Sequence, residues 1–124
     1  MERNVILIVD DEEANRTMYR QALELDGYEV IEAAGGSEAI EILKTREVDA
    51  IVCDIHMPHN GIRVFEYLTE NFAHLRERFI FMSGNAEKKR EAERKAHPAA
   101  FLQKPFSLEH LRKTMRLVLG TSAT

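Results

Sequence analysis

The feature that most constrains the fold is a fivefold alternation of short apolar runs with longer helical segments. The five runs are "VILIV" (Val5–Val9), "EVIEA" (Glu29–Ala33), "AIVC" (Ala50–Cys53), "FIFM" (Phe79–Met82) and "AFLQ" (Ala100–Gln103). Runs that are apolar at nearly every position are typical of strands covered on both faces, and helical crossovers between them imply a parallel sheet. The pattern therefore predicts an α/β fold, a (βα)5 doubly wound sandwich around a five-stranded parallel sheet. The half-polar second run predicts an edge strand.

Apolar residues at helical spacing predict the helices between these strands. The four apolar stripes are Ala14, Met18, Ala22 and Leu25; Ala39, Ile40 and Leu43; Ile62, Phe65, Leu68 and Phe72; and Leu108, Leu111, Met115 and Val118. A further segment, residues 86–97, contains strong helix formers but has only alanines for an apolar stripe. It predicts a solvated surface helix that is stabilised by propensity and charge pairs more than by burial. Ser107 is expected to cap the last helix.

The length of the chain indicates one domain of ordinary size. The chain has 124 residues, which we divide into a domain over residues 1–119 and a flexible C-terminal tail over residues 120–124. Its net charge of −4 gives no basic field, so we expect no direct nucleic acid binding. No apolar run approaches the roughly 20 residues that span a bilayer, so we expect no membrane insertion. The only cysteine, Cys53, cannot form an internal disulfide, which favours a cytoplasmic location.

Polar residues follow the ends of four predicted strands. The first strand leads into Asp10 and Asp11, the third into Asp54, the fourth into Ser83 and the fifth into Lys104. Ligands of parallel α/β sheets bind outside the carboxyl ends of the strands, where the strand order reverses. Three carboxylates that converge there require a compensating cation, and oxygen ligands favour Mg²⁺. The alternative is that each aspartate only caps the helix that follows it, but that alternative leaves the whole set unexplained.

Asp54 differs from the other carboxylates because it stands singly at the end of a buried strand, whereas Asp10 and Asp11 follow their strand as a pair. A carboxylate beside a divalent cation, a hydroxyl and a lysine has what phosphoryl transfer requires: Asp54 can act as a nucleophile that forms an aspartyl phosphate. Ser83 could donate a hydrogen bond to a phosphoryl oxygen, and Lys104 supplies a mobile positive charge. Each of these two residues alone would be read as an ordinary surface or turn residue.

Four segments carry a resemblance to the receiver domains of two-component response regulators: "VILIVDDEEANR", "VCDIHMP", "FMSGNA" and "FLQKPFSLEHL". They occur in order and span nearly the whole chain. The resemblance implies the flavodoxin-like strand order 2-1-3-4-5. It also implies a phosphoacceptor switch that is not an enzyme acting on other substrates and that catalyses only its own phosphorylation and dephosphorylation.

The resemblance also implies a role for each site residue. Asp54 matches the phosphoacceptor, which takes its phosphoryl group from a sensor histidine kinase or a histidine phosphotransfer protein. Asp11 and Asp54 match direct Mg²⁺ ligands, together with the backbone carbonyl of His56, while Asp10 acts largely through water. Ser83 and Lys104 match the pair that contacts the phosphoryl group, and the Lys104–Pro105 bond is expected to be cis. Ser83 and Phe101 match the switch residues, with the response on the face formed by the fourth helix, fifth strand and fifth helix.

The sequence leaves several alternatives open. A receiver of a hybrid histidine kinase would pass its phosphoryl group to a histidine phosphotransfer protein, and the chain is either a stand-alone receiver or part of a longer protein. A magnesium-dependent hydrolase of the haloacid dehalogenase type and a non-phosphorylated binding module are the rival functions. A zinc site that includes His56 and His59 is a further alternative, but two histidines on a loop support it only weakly. Gly61 comes seven residues after Asp54, one fewer than is usual in receivers, which puts the loop from Pro58 in doubt.

Overall fold

A computed structural model describes residues 3–55, 61–84, 90 and 100–120 of the chain. Its strands are β1 (Val5–Val9), β2 (Glu29–Ala33), β3 (Ala50–Asp54), β4 (Phe79–Ser83) and β5 (Ala100–Gln103). They form one parallel sheet in the order β2-β1-β3-β4-β5, which confirms the predicted flavodoxin-like fold. The helices are α1 (Glu13–Leu25), α2 (Gly36–Thr45), α3 (Gly61–Asn71), a short 3-10 helix (Ala73–Arg78) and a C-terminal helix (Leu108–Val118). Most of the predicted helix over residues 86–97, and the tail beyond residue 120, lie outside the described residues.

The sheet divides the core into two layers because successive side chains of a strand point to opposite faces. One layer joins alternate strand residues, such as Leu7 and Cys53, to α2 and α3. The other joins the intervening residues, such as Ile8 and Val52, to α1 and the C-terminal helix. The strand β3 is central and buried at every position, whereas the half-polar β2 lies at one edge, as predicted. Among the described helices, none has both the length and the apolar character needed to cross a bilayer.

The predicted apolar stripe of α1 is wrong at three of its four positions. Met18 is 43% exposed, Leu25 is 76% exposed and Ala14 is also exposed. The helix instead buries Tyr19 and Leu23 together with Ala22. Tyr19 and Leu23 are four residues apart, so they share a helix face. The ring of Tyr19 finds a partner in Phe106, which a pattern within α1 cannot reveal.

The stripes of α3 and the C-terminal helix are confirmed where their side chains are described, and the stripe of α2 is confirmed in part, since Ile42 rather than the predicted Ile40 packs against the core. In α2 and α3 the inward-facing residues Ala39, Leu43, Phe65 and Leu68 are buried. The predicted cap of the C-terminal helix is also confirmed, since the Ser107 hydroxyl accepts a hydrogen bond of 2.9 Å from the His110 backbone N–H.

Candidate functional site

Three carboxylates converge at the carboxyl edge of the sheet, as the sequence predicts. Asp10 and Asp11 directly follow β1, and Asp54 is the last residue of the neighbouring strand β3. Carboxylate oxygens from the three side chains all lie within 4.8 Å of one another. Asp10 is fully buried and Asp54 is 4% exposed, whereas Asp11 faces solvent. We refer to Asp10, Asp11 and Asp54 as the acidic cluster.

The carboxylate of Asp10 is held in a defined orientation. Its Oδ1 accepts a 2.9 Å hydrogen bond from the Glu12 backbone N–H, and its Oδ2 lies 3.5 Å from Nζ of Lys104. Burial raises the pKa of the Asp10 carboxyl, although the Glu12 N–H and the Lys104 ammonium oppose that effect. Glu12, rather than Asp10, occupies the N-cap position of α1. The Asp10 carboxylate therefore accepts a hydrogen bond from a backbone amide in the turn before the helix. The alternative that Asp10 only caps a helix does not account for its contact with Lys104.

Lys104 directly follows the edge strand β5 and brings a positive charge to the acidic cluster. Its Nζ donates a hydrogen bond of 2.7 Å to Oδ2 of Asp54, and its backbone N–H donates to the Ser83 carbonyl at 2.9 Å. Burial by itself would lower the pKa of Lys104, but the hydrogen bond and the charges of Asp54 and Asp10 outweigh burial and raise it. The peptide bond to Pro105 is cis, as expected.

The remaining predicted site residues fall at different places. Ser83 is buried as the last residue of β4, and Met82 is the register partner of Asp54, so Ser83 lies at the same edge. Phe101 is partly buried inside β5, opposite Phe81, where it packs against the core layer of α2 and α3. His56, with His59 and the loop through residue 60, lies outside the described residues.

Cys53 is a core residue, as the strand alternation predicts. Its side chain is fully buried in the layer that faces α2 and α3. Burial raises the pKa of the Cys53 thiol well above its usual value, and the nearby Asp54 and Asp10 carboxylates add to this effect. A fully buried thiol whose protonated form is favoured is typical of a structural cysteine rather than of a nucleophile.

Sequence reasoning missed a group of residues around the acidic cluster. Arg16 of α1 donates from Nη1 to the Asp10 carbonyl at 2.8 Å and from Nε to Glu32 of β2 at 3.1 Å. The ring of Tyr19 stacks on Phe106, two residues after Lys104, with ring centroids 5.5 Å apart. The sequence feature that could have pointed to this group is Glu32, because a charged residue inside a strand needs a partner from a neighbouring element.

The fold and the site together define a doubly wound α/β domain with a carboxylate-rich edge. Residues 6–116 match the response regulator receiver domain family, and the chain belongs to that family. This membership favours the receiver interpretation over the hydrolase of the haloacid dehalogenase type.

Known relatives agree with this assignment. The chain is 40% identical over 121 residues to the sensor kinase CckA of Brucella abortus (strain 2308), a match that covers 92% of this chain and 12% of CckA. It is 34% identical over 115 residues to the response regulator MprA of Mycobacterium sp. (strain KMS), covering 92% of this chain and 50% of MprA. The solved structure of the Vibrio cholerae chemotaxis protein CheY4 superimposes with a TM-score of 0.83 at 29% identity, covering 94% of this chain and 99% of CheY4. The chain thus spans half or less of the length of these two curated relatives.

Proposed function

We propose that the chain is a phosphoacceptor signalling switch in which Asp54 receives a phosphoryl group from a phosphohistidine. One observation carries the proposal: a 4% exposed carboxylate ends the central strand, 2.7 Å from an ammonium group and within an acidic cluster. A nucleophile on a buried strand is held rigidly, and the neighbouring charges suit a transferring phosphoryl group.

The acidic cluster has the donor chemistry of a Mg²⁺ site. Its ligand atoms are all carboxylate oxygens, which suit a hard cation, and their mutual repulsion is relieved when a cation lies among them. Asp11 and Asp54 would hold Mg²⁺ directly, Asp10 would act largely through water, and the backbone carbonyl of His56 would complete the protein ligands. When bound, the cation would neutralise the charge on the phosphoryl oxygens.

The chemical step needs few groups of the protein. A carboxylate oxygen of Asp54 attacks the phosphorus of the phosphohistidine and forms the O–P bond of an aspartyl phosphate. The P–N bond breaks, its electron pair returns to the imidazole nitrogen, and the imidazole leaves the site. Lys104 offsets negative charge on the transferred group, and Ser83 donates a hydrogen bond to one of its oxygens.

The oxygens of the new phosphoryl group would change the conformation of the protein, and this change is the signal. Ser83 and Lys104 turn toward the added group, their loops shift, and Phe101 moves into space beside β4. The population shift is read on the face that includes β5 and the C-terminal helix. If hydrogen exchange over residues 86–107 is the same with and without Mg²⁺ and beryllofluoride, this part of the proposal is wrong.

The partners follow from the chemistry of the donor. A sensor histidine kinase or a histidine phosphotransfer protein would supply the phosphoryl group in the cytoplasm. The 40% identity to part of a sensor kinase supports a second possibility, a hybrid-kinase receiver that passes the group to a histidine phosphotransfer protein. In both cases the chain catalyses only its own phosphorylation and dephosphorylation.

Intact mass spectrometry after incubation with Mg²⁺ and acetyl phosphate tests the proposal. We expect an adduct of one phosphate on the wild type, none on Asp54→Asn, and an unchanged adduct on Asp49→Asn. Asp49 is the matched control because its carboxylate accepts a hydrogen bond from Val5 at the opposite end of the sheet. Continuous phosphate release without an adduct would favour a hydrolase, and neither adduct nor release would favour a binding module.

A further inference from the structure

Both backbone groups of Asp10 are linked to the edge strand β2, the N–H directly and the carbonyl through Arg16. Its N–H donates a hydrogen bond to the Ala33 carbonyl at 3.1 Å. Its carbonyl accepts a 2.8 Å hydrogen bond from Nη1 of Arg16, whose Nε donates to Glu32 at 3.1 Å. The Arg16 guanidinium therefore bridges the first residue of the acidic cluster to a side chain of β2.

This bridge is sheltered and geometrically restrictive. The side chains of Arg16 and Glu32 are only 15% and 22% exposed, so solvent screens their attraction less than that of a surface pair. The guanidinium is planar, so its two hydrogen bonds fix the Asp10 carbonyl relative to Glu32. Arg20 also pairs with Glu32, but it is 37% exposed and forms no hydrogen bond with Asp10 in the described part of the chain.

The turn that carries Asp10 and Asp11 has few other restraints. Helix α1 begins after Glu12, whose side chain caps no backbone group, and both Asp11 and Glu12 are exposed. The orientation of the Asp10 carboxylate therefore depends on the position of its own main chain, on the hydrogen bond that its Oδ1 accepts from Glu12, and on the longer 3.5 Å contact of its Oδ2 with Lys104. Because the side chain is attached to this main chain, rotation of the Asp10 peptide would reorient its carboxylate relative to the other two.

We propose that Arg16, anchored on Glu32, is a positioning residue that holds the acidic cluster in a cation-binding arrangement. Three neighbouring carboxylates repel one another, so a metal-free turn without this restraint gains by moving Asp10 and Asp11 apart. The bridge opposes that movement and keeps the carboxylates ready for the cation, as outer residues do in metal sites. The inference rests on the proposed function, since it assigns a role toward Mg²⁺.

Calorimetric titration with Mg²⁺ compares the wild type with Arg16→Gln and with Arg20→Gln as the matched control. Both substitutions remove one positive charge next to Glu32, but only the first removes the bond to Asp10. We expect the dissociation constant for Mg²⁺ to rise about tenfold in Arg16→Gln and to change less than about twofold in Arg20→Gln. The Mg²⁺ concentration that half-saturates adduct formation should rise equally, while the rate at saturating Mg²⁺ stays close to that of the wild type.

A second readout does not require the metal. Amide exchange of Glu12, measured by NMR in the presence of a chelator, should accelerate in Arg16→Gln and not in Arg20→Gln. Glu32→Gln keeps an oxygen acceptor for Arg16 but loses the anchoring charge, so it should weaken Mg²⁺ binding in the same direction by a smaller factor. This variant also serves if Arg16→Gln does not fold.

Two results would overturn the inference while leaving the proposed function intact. One is an unchanged dissociation constant in both Arg16→Gln and Glu32→Gln. The other is an equal loss of affinity in Arg20→Gln, which would indicate a general effect of charge. If the wild type itself binds no Mg²⁺ and forms no adduct, the proposed function fails, and the role of Arg16 toward the cation fails with it.

Discussion

The ammonium of Lys104 lies 2.7 Å from the carboxylate of Asp54, although 50 residues separate the two in the sequence. Two strand ends create this contact, because β3 delivers Asp54 and β5 delivers the segment that begins with Lys104. The same ammonium lies 3.5 Å from the buried carboxylate of Asp10. Lys104 therefore acts as the protein's own counterion to the two buried members of the acidic cluster.

Lys104→Met should destabilise the metal-free protein. The substitution removes the ammonium group that contacts two buried carboxylates, and we expect the free energy of unfolding to fall by about 1–3 kcal/mol. Urea unfolding in the presence of a chelator measures the change. Lys113→Met, an exposed position on the C-terminal helix, is the control. Adding Asp54→Asn to Lys104→Met should recover part of the loss, and equal effects of the two lysine substitutions would contradict the prediction.

The stack of Tyr19 on Phe106 should fasten the segment after Lys104 to α1. Tyr19 is 5% exposed, so Tyr19→Ala removes a buried ring and should lower the free energy of unfolding by about 3 kcal/mol. Tyr19→Phe retains the ring and should cost less than about 1 kcal/mol. Urea unfolding of both variants measures the difference. Tyr67→Ala, which removes a half-buried ring from α3, should cost less than Tyr19→Ala, and the reverse order would be evidence against the stack.

The contact between Asp26 and Arg112 should make stability depend on pH in the acid range. Arg112 donates two hydrogen bonds, of 2.7 and 3.1 Å, to the Asp26 carboxylate and holds its pKa below the usual 3.8. Because the folded protein binds this proton less readily than the unfolded chain, the stabilisation is present above about pH 3.8 and is lost as the pH falls through the lowered pKa. We therefore expect Asp26→Asn to melt at a lower temperature than the wild type at neutral pH.

The same comparison in acid gives the decisive result for Asp26. The difference in melting temperature between Asp26→Asn and the wild type should shrink as the pH falls from about 3.8 through the lowered pKa of Asp26, because below that pKa both side chains are uncharged. Glu41→Gln is the control, since Glu41 forms an exposed pair with Lys44 one helical turn away and should change the melting temperature little. A difference that is constant down to the most acidic pH would mean that the ion pair does not stabilise the fold.

Substitution of Leu23 should destabilise the protein strongly, whereas substitution of Leu25 on the same helix α1 should have little effect. Leu23 is fully buried, and Leu23→Ala should cost about 2–5 kcal/mol. Leu25 is 76% exposed, and Leu25→Gln should change the free energy of unfolding by less than about 0.5 kcal/mol. Chemical denaturation of the pair tests which face of α1 is buried. A large loss in Leu25→Gln would restore the stripe that the sequence pattern predicted.

The sequence predicted the strands well because burial on both faces demands apolar residues at nearly every position of a central strand. The fully buried strands β3 and β4 are the clearest cases. It predicted the face of α1 poorly because the small and apolar residues of that helix fit more than one face. Tyr19, which decides the choice, is amphipathic and packs against Phe106 from the far end of the chain.

What the sequence determined by itself was the alternation of strands and helices and the residues that stand at the strand ends. That was enough to bring Asp10, Asp11 and Asp54 to one edge, because parallel strands present their carboxyl ends together. The tertiary structure alone decided how those carboxylates are held: Lys104 against Asp54, and Arg16 between the Asp10 carbonyl and Glu32. Periodicity is a local property of the chain, whereas a charge finds its partner through space, so only the folded arrangement could identify these contacts.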